Sequence, residues 1–154
     1  MTDVHEILGR AKEKLISDYS INTVTSGSLS DVDLTKTSIF PLAHIILEDA
    51  TINSTMVSFN LRILVMDVVD QTNDLQDQDD QFYGNDNTHF VLNTQFAVLN
   101  NFFLDMNRGS GWALGFRTDE EISAQPFLER FENVLAGWEA VIPIMIQNSG
   151  YACE

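Results

Sequence analysis

Apolar and polar positions alternate most cleanly between residues 57 and 65. Val57, Phe59, Leu61, Ile63 and Val65 fall on one side, and Ser58, Asn60, Arg62 and Leu64 on the other. This is the period-two pattern of a strand with one buried face. The second side turns apolar at Leu64 and Met66, so that end is expected to be covered on both faces, by the chain or by a partner. Upstream, the β-branched residues of 39–48 favour a strand, with Pro41 at its start or on an edge. A turn near Asn53 and Ser54 joins 39–48 and 56–69 into an expected antiparallel hairpin. Ile21 and Val24 read as the start of a shorter strand, closed by a turn at Ser26-Gly27-Ser28.

Helical spacing appears twice. Val4, Ile7, Leu8, Ala11 and Leu15 predict an amphipathic helix over residues 3–18, capped by Thr2 and weakened by Gly9. Arg10, Lys12 and Lys14 are expected on its solvated face. Val91, Leu92, Gln95, Val98, Leu99, Phe102, Phe103 and Met106 trace a broad stripe. They predict a second helix that starts at an Asn87 or Thr88 cap, lies across the hairpin and ends at residues 107–111. Residues 112–128 read as irregular, anchored by Trp112, Leu114 and Phe116. A last strand is expected from about Arg130 to Gln147. Val134, Ala136, Trp138, Ala140, Ile142, Ile144 and Ile146 share one of its faces, while Gly137 and Pro143 point to an edge strand with a bulge.

These elements predict a single α+β domain over residues 1–154, a mostly antiparallel sheet with two main helices packed on it. A chain of 154 residues buries roughly 70% of its unfolded surface and needs no staples. No apolar run approaches the roughly 20 residues of a membrane helix. Residues 1–6 are acidic and lack the apolar core of a signal peptide. The single cysteine, Cys153, has no partner for an internal disulfide or a metal. A reducing cytoplasm is therefore the expected site of synthesis.

Charge narrows the function. The net charge is −15, from 23 acids against 8 bases. Phosphate contacts need clustered Lys and Arg, so sequence-specific nucleic-acid binding is not expected. The acids are concentrated, with seven Asp and no base between residues 67 and 86. Asp74, Asp77, Asp79 and Asp80 are the densest group, but the alternate-Asp, Gly, then Glu pattern of a calcium loop is missing. The stretch reads as a solvated acidic loop.

No catalytic constellation emerges. His5, His44 and His89 stand alone, without zinc-ligand spacing. His44, inside a predicted strand, reads as a hydrogen-bonded sheet histidine. Gly109-Ser110-Gly111 is not followed by Lys and reads as a turn. Trp112 and Trp138 read as core or interface anchors rather than stacking platforms. No catalytic residue, cofactor or metal is expected, and the chain is not expected to be an enzyme.

The order of helix, short strand, hairpin, acidic loop, helix and C-terminal strand resembles the tail terminator or tail-completion proteins of tailed bacteriophages. The stretches that carry the resemblance are Ile39-Phe40-Pro41-Leu42-Ala43-His44-Ile45, residues 57–69, and residues 130–138 from Arg130 to Trp138. It covers nearly the whole chain in layout and contains no short diagnostic motif. It implies a structural virion protein of the tail or neck, assembled in the host cytoplasm. Such a protein forms a ring with copies of itself, commonly a hexamer. The ring caps the tail tube protein, joins it to the head–tail connector or stopper, and in a contractile tail adjoins the sheath. Such a ring needs surfaces that pair with identical neighbours. The candidate interface residues are Leu64, Met66, Trp138 and Pro143, with Asp74, Asp77, Asp79 and Asp80 facing a basic partner or a DNA-carrying lumen. Two other readings stand beside this one: an acidic module that mimics nucleic acid to bind a basic protein, and a small calcium-binding domain.

Overall fold

The computed structural model describes residues 4–27, 39–69, 88–109, 115–130 and 134–148. In chain order the elements are α1 (Val4–Ile16), β1 (Thr23–Ser26), β2 (Leu42–Ile52), β3 (Met56–Val68), α2 (Thr88–Arg108), β4 (Ala124–Arg130) and β5 (Val134–Gln147). The strands form one mixed sheet in the order β1-β2-β3-β5-β4. Only the β1–β2 pairing is parallel. The α+β class, the mostly antiparallel sheet and the two helices are those the residue pattern predicts.

The strand β3 is the spine. It pairs with β2 on one side and with β5 along its whole length on the other. Its alternation does what the sequence implies. Leu61, Ile63 and Val65 are completely buried on the helix side, where Ile142 and Ile144 of β5 join them. The helix α2 covers this face, packing mainly on β5 and also on β3 rather than across the hairpin. Its Val98, Leu99, Phe102 and Met106 complete the core, and each such buried side chain contributes about 1.5–3 kcal/mol. The helix α1 packs against α2 and β1, burying Ile7, Ala11 and Leu15. Arg10 does not stay on the solvated face. Its Nη2 reaches both carboxylate oxygens of Asp105 on α2, at 3.2 Å each.

The hairpin turn falls where expected and is stitched by side chains. The Asn53 Oδ1 accepts from the backbone N–H groups of Thr55 at 2.9 Å and Met56 at 2.6 Å. Such Asx turns are how asparagine fixes a tight connection. At the end of β5, Asn148 donates from Nδ2 to the Asn53 carbonyl at 2.8 Å. The histidine reading also holds. His44 is fully buried. Its Nδ1 lies 2.6 Å from the Thr25 hydroxyl on β1, and its Nε2 lies 2.8 Å from the Gly27 carbonyl. A carbonyl only accepts, so Nε2 carries the proton and Thr25 donates to Nδ1. One side chain thereby fastens the short strand β1 to β2.

The C-terminal strand differs from expectation in three ways. It begins at Val134, and residues 124–130, expected to be mostly irregular, form the separate strand β4. With β4 outside it, β5 is not an edge strand. The bulge lies elsewhere, since β3 and β5 keep one register throughout while β2 shifts against β3 between Leu47 and Asp49.

Pro143 is tolerated because of where β4 stops. The backbone of Met145 bonds to Arg117 in both directions, at 2.7 and 2.9 Å, on the side away from β3. Residue 143 has the same orientation. Its missing N–H therefore faces the gap between that bridge and Ala124, the first residue of β4. Gly137 has a different reason. A Cβ there would stand 1.9 Å from the Val65 carbonyl oxygen, so the β3 backbone occupies the space of any side chain.

The two glycines should respond oppositely to alanine. At Gly9 a Cβ meets nothing, so Gly9→Ala should stabilise the protein by about 0.5–1 kcal/mol through helix propensity. Gly137→Ala should cost about 3 kcal/mol or more, because the backbone itself must move. Urea denaturation of the two variants measures both effects. A Gly137→Ala protein as stable as the parent is the result that contradicts the close approach.

Candidate functional site

The geometry that produces an open site follows from how few helices cover the sheet. The helix α1 lies over the β1 flank and α2 over β5 and β3, and among the described residues no helix covers the β4 flank. There a groove of about 310 Å³ runs between α2 and the segment leading into β4. Phe96, Leu99 and Phe103, spaced i, i+3 and i+7 along α2, form one wall, and Ile122 with Ala124 forms the other. Glu120 and Glu121, both exposed, supply its acidic side. The second wall is held in place by the Arg117–Met145 bridge and by Asn107 Nδ2, which donates to the Asp119 carbonyl at 3.3 Å. Phe96 is 47% exposed despite its size. Its ring stands edge-to-face on Trp138, with centroids 5.2 Å apart.

Trp138, one of the predicted interface residues, is half-buried and works inside the chain. Its Nε1 donates to the Leu92 carbonyl of α2 at 2.8 Å, so it ties the helix to β5. Leu64 and Met66 are also internal. Together with Phe40, Leu42 and Leu135 they form a buried cluster on the sheet face opposite the helices. The question of whether the chain or a partner covers that end of β3 is answered by the chain. Pro143 is partly exposed on the same opposite face. Asp74, Asp77, Asp79 and Asp80, like Trp112 and Cys153, lie outside the described residues. The four described ones, Leu64, Met66, Trp138 and Pro143, do not share one exposed surface.

Sequence reasoning overlooked the groove. The available signal was the width of the α2 stripe. Phe96 extends it beyond what one buried face needs, and an apolar arc that wide implies a second contact.

The opposite sheet face is polar towards the hairpin. Arg62 lies between Glu48 of β2 and Glu139 of β5. It bonds to Glu48 through Nε and to Glu139 through Nη1, the latter at 3.0 Å. The Glu48 hydrogen bond, with the added field of Glu139, holds the guanidinium above its ordinary pKa. All three side chains remain about a third exposed, which makes this a surface network of modest strength. Among the described residues no group of three or more His, Cys, Asp or Glu is placed to hold a metal ion. Among them, too, no helix is long and apolar enough to cross a membrane.

Asp67, at the end of β3, is a carboxylate perturbed by its surroundings. Burial pushes its pKa above the usual aspartate range, partly offset by the Val68 N–H that donates to its Oδ1 at 2.7 Å. A folded-state pKa raised above the unfolded value makes ionisation a cost to the fold, absent below pH 3.8 and growing as pH rises through the folded pKa. Asp67→Asn keeps an acceptor for Val68 and removes that charge. Its urea midpoint should therefore exceed that of the parent at pH 7 and match it near pH 3.5. Equal midpoints at both values are the contrary result.

No protein-family model matches this chain, and comparison with curated proteins finds no match either.

Proposed function

We propose that this chain is a structural subunit of a tailed-phage virion, a tail terminator or neck-ring protein. It assembles into a ring, caps the tail tube and joins it to the head connector. The observation that carries the reading is the division of the molecule into a fully covered core and surfaces left over by it. The outer side of β2 extends beyond β1, with no strand alongside it among the described residues. The strand β1 pairs only with residues 42–45 of β2, and every β2 residue from Leu47 to Ile52 is exposed. Ile52, near the tip, is 74% exposed. On the far flank lies the apolar groove beside β4. An exposed strand edge on one flank and an apolar groove on the other suit a protein that is one part of a larger particle. The resemblance in layout, with helices packed on a mostly antiparallel sheet, supports the same assignment.

Sedimentation of the purified chain together with negative-stain imaging tests the proposal. Rings that bind to the ends of tail tubes are expected. A chain that stays monomeric at high concentration and binds a basic host protein instead would favour the acidic-module reading and displace this one. Within the virion reading, the acidic stretch faces a basic neighbour or a lumen, where negative charge limits sticking of DNA. Changing Asp74, Asp77, Asp79 and Asp80 together to Asn should then lower the yield of infectious particles. Unchanged yield and infectivity would remove the acidic stretch from the mechanism.

A further inference from the structure

The groove between α2 and β4 has a counterpart on the other flank of the same molecule. The helix α1 carries Arg10, Lys12 and Lys14, three of the eight bases in a chain with 23 acids. The other five bases are dispersed singly through the sequence. Lys12 and Ile16 share a stripe at i, i+4 spacing, and Ile16 is 44% exposed. Tyr19 follows in the next turn and is 99% exposed. A tyrosine normally buries most of its ring. The turn that presents it is well tied. The Ser20 N–H donates to Asp18 Oδ1 at 2.9 Å, the Ile21 N–H to the Asp18 carbonyl at 2.9 Å, and the Ser17 hydroxyl to the Lys14 carbonyl at 2.7 Å. An aromatic ring is thus held out on an ordered support just past the C-terminal end of the basic helix.

We propose that the Lys12–Ile16–Tyr19 projection of one copy docks into the α2–β4 groove of a second copy of this chain, head to tail. Three observations commit the groove to this occupant. Its walls are aromatic and aliphatic, and about 310 Å³ is small for a ligand cleft, of which typical volumes are roughly 300–1,000 Å³, yet roomy for one aromatic side chain. Its acidic side, Glu120 and Glu121, calls for a basic partner, and α1 is the densest basic stretch of this acidic chain. Finally, the two features sit at opposite flanks of the helix layer, with α1 against β1 and the groove against β4, and these strands are the two ends of the sheet. A patch on one flank that fits a different patch on the other makes a heterologous contact. Repeated, that contact closes into a ring when its rotation allows. The contact deepens the ring reading and rests on it only for closure.

Two variants separate the halves of the contact without touching the core. Tyr19→Ala with Lys12→Glu disables the projection and leaves the groove intact. Glu120→Lys with Glu121→Lys disables the groove and leaves the projection intact. Circular dichroism and thermal melting establish that both are folded, and analytical ultracentrifugation reads assembly. The parent chain should self-associate. Each variant alone should do so at least about tenfold more weakly, as loss of a central aromatic anchor predicts. An equimolar mixture should form a two-chain species and stop there, because only one intact interface can form. Assembly of both variants as strong as that of the parent would overturn the contact while leaving the ring reading in place. Two monomeric variants whose mixture stays monomeric would overturn the head-to-tail geometry. A parent chain that never self-associates would overturn both the contact and the ring.

Discussion

The apolar face of β3 and β5 has to be covered, and the way it is covered sets everything else. Leu61, Ile63, Val65, Ile142 and Ile144 are fully buried beneath α2. Strands lie about 4.8 Å apart and packed helices about 8–10 Å apart. Each helix therefore covers about two strands, and two helices cannot cover five. The helix α2 takes the centre because the most continuous apolar strands are there. The helix α1 takes the β1 side, held by Ala11 and by the Arg10–Asp105 pair. Among the described residues, the flank that no helix covers is that of β4. The groove is thus a consequence of the ratio of helices to strands, and its aromatic wall is the part of α2 that the core does not use.

Charge adds a second constraint. At −15, two copies repel one another, and repulsion of this kind opposes any self-assembly not locally compensated. Several of the bases are already committed. Arg10 is bonded to Asp105 across the helices, and Arg62 to Glu48 and Glu139 across three strands. Such networks settle the charge of a subunit internally and contribute little to a neighbour. Lys12, exposed on α1, and Tyr19, exposed in the turn that follows the helix, lie on the same flank. The sites where like-charged copies can approach are therefore few.

How much of this was legible depended on whether a signal was local. The alternation in β3 and the 3.6-residue periods of α1 and α2 are local, and the elements lie where they were read to within a few residues. The placement of β5 was not. Pro143 and Gly137 carry the ordinary marks of an edge, but both are resolved by distant partners. Pro143 loses nothing because it faces the gap between the Arg117 bridge and the start of β4, and Gly137 is required because the Val65 carbonyl sits where a Cβ would be. The strand β4 itself was missed because Pro126 and the adjacent Phe127 and Leu128 break alternation. Pro126 pairs with Trp138, a position whose own N–H faces β3, so the proline's missing donor points outward from the sheet. An outer edge is where a proline costs least. The groove was illegible for the same reason. Its two walls are separate in sequence, and only Phe96, which widens the core stripe at its side, hinted at it.

The outer edge of β2 shows why contact by side chains is favoured over contact by strands. Residues 47–52 of β2 have no strand beyond them among the described residues, and such an edge invites another chain to add on. This edge is guarded. The register shift between Leu47 and Asp49 interrupts it, and Glu48 and Asp49 place two acids at the interruption. Bulges and charges are the usual defences against edge pairing, and in a chain of this net charge a second copy would bring the same two acids to the same place. On the other outer edge, Pro126 removes one of the donors that an added strand would need. With both edges defended, any association between copies would be directed towards surfaces that fit by shape and opposite charge. The flanks of the helix layer supply one such pair of surfaces.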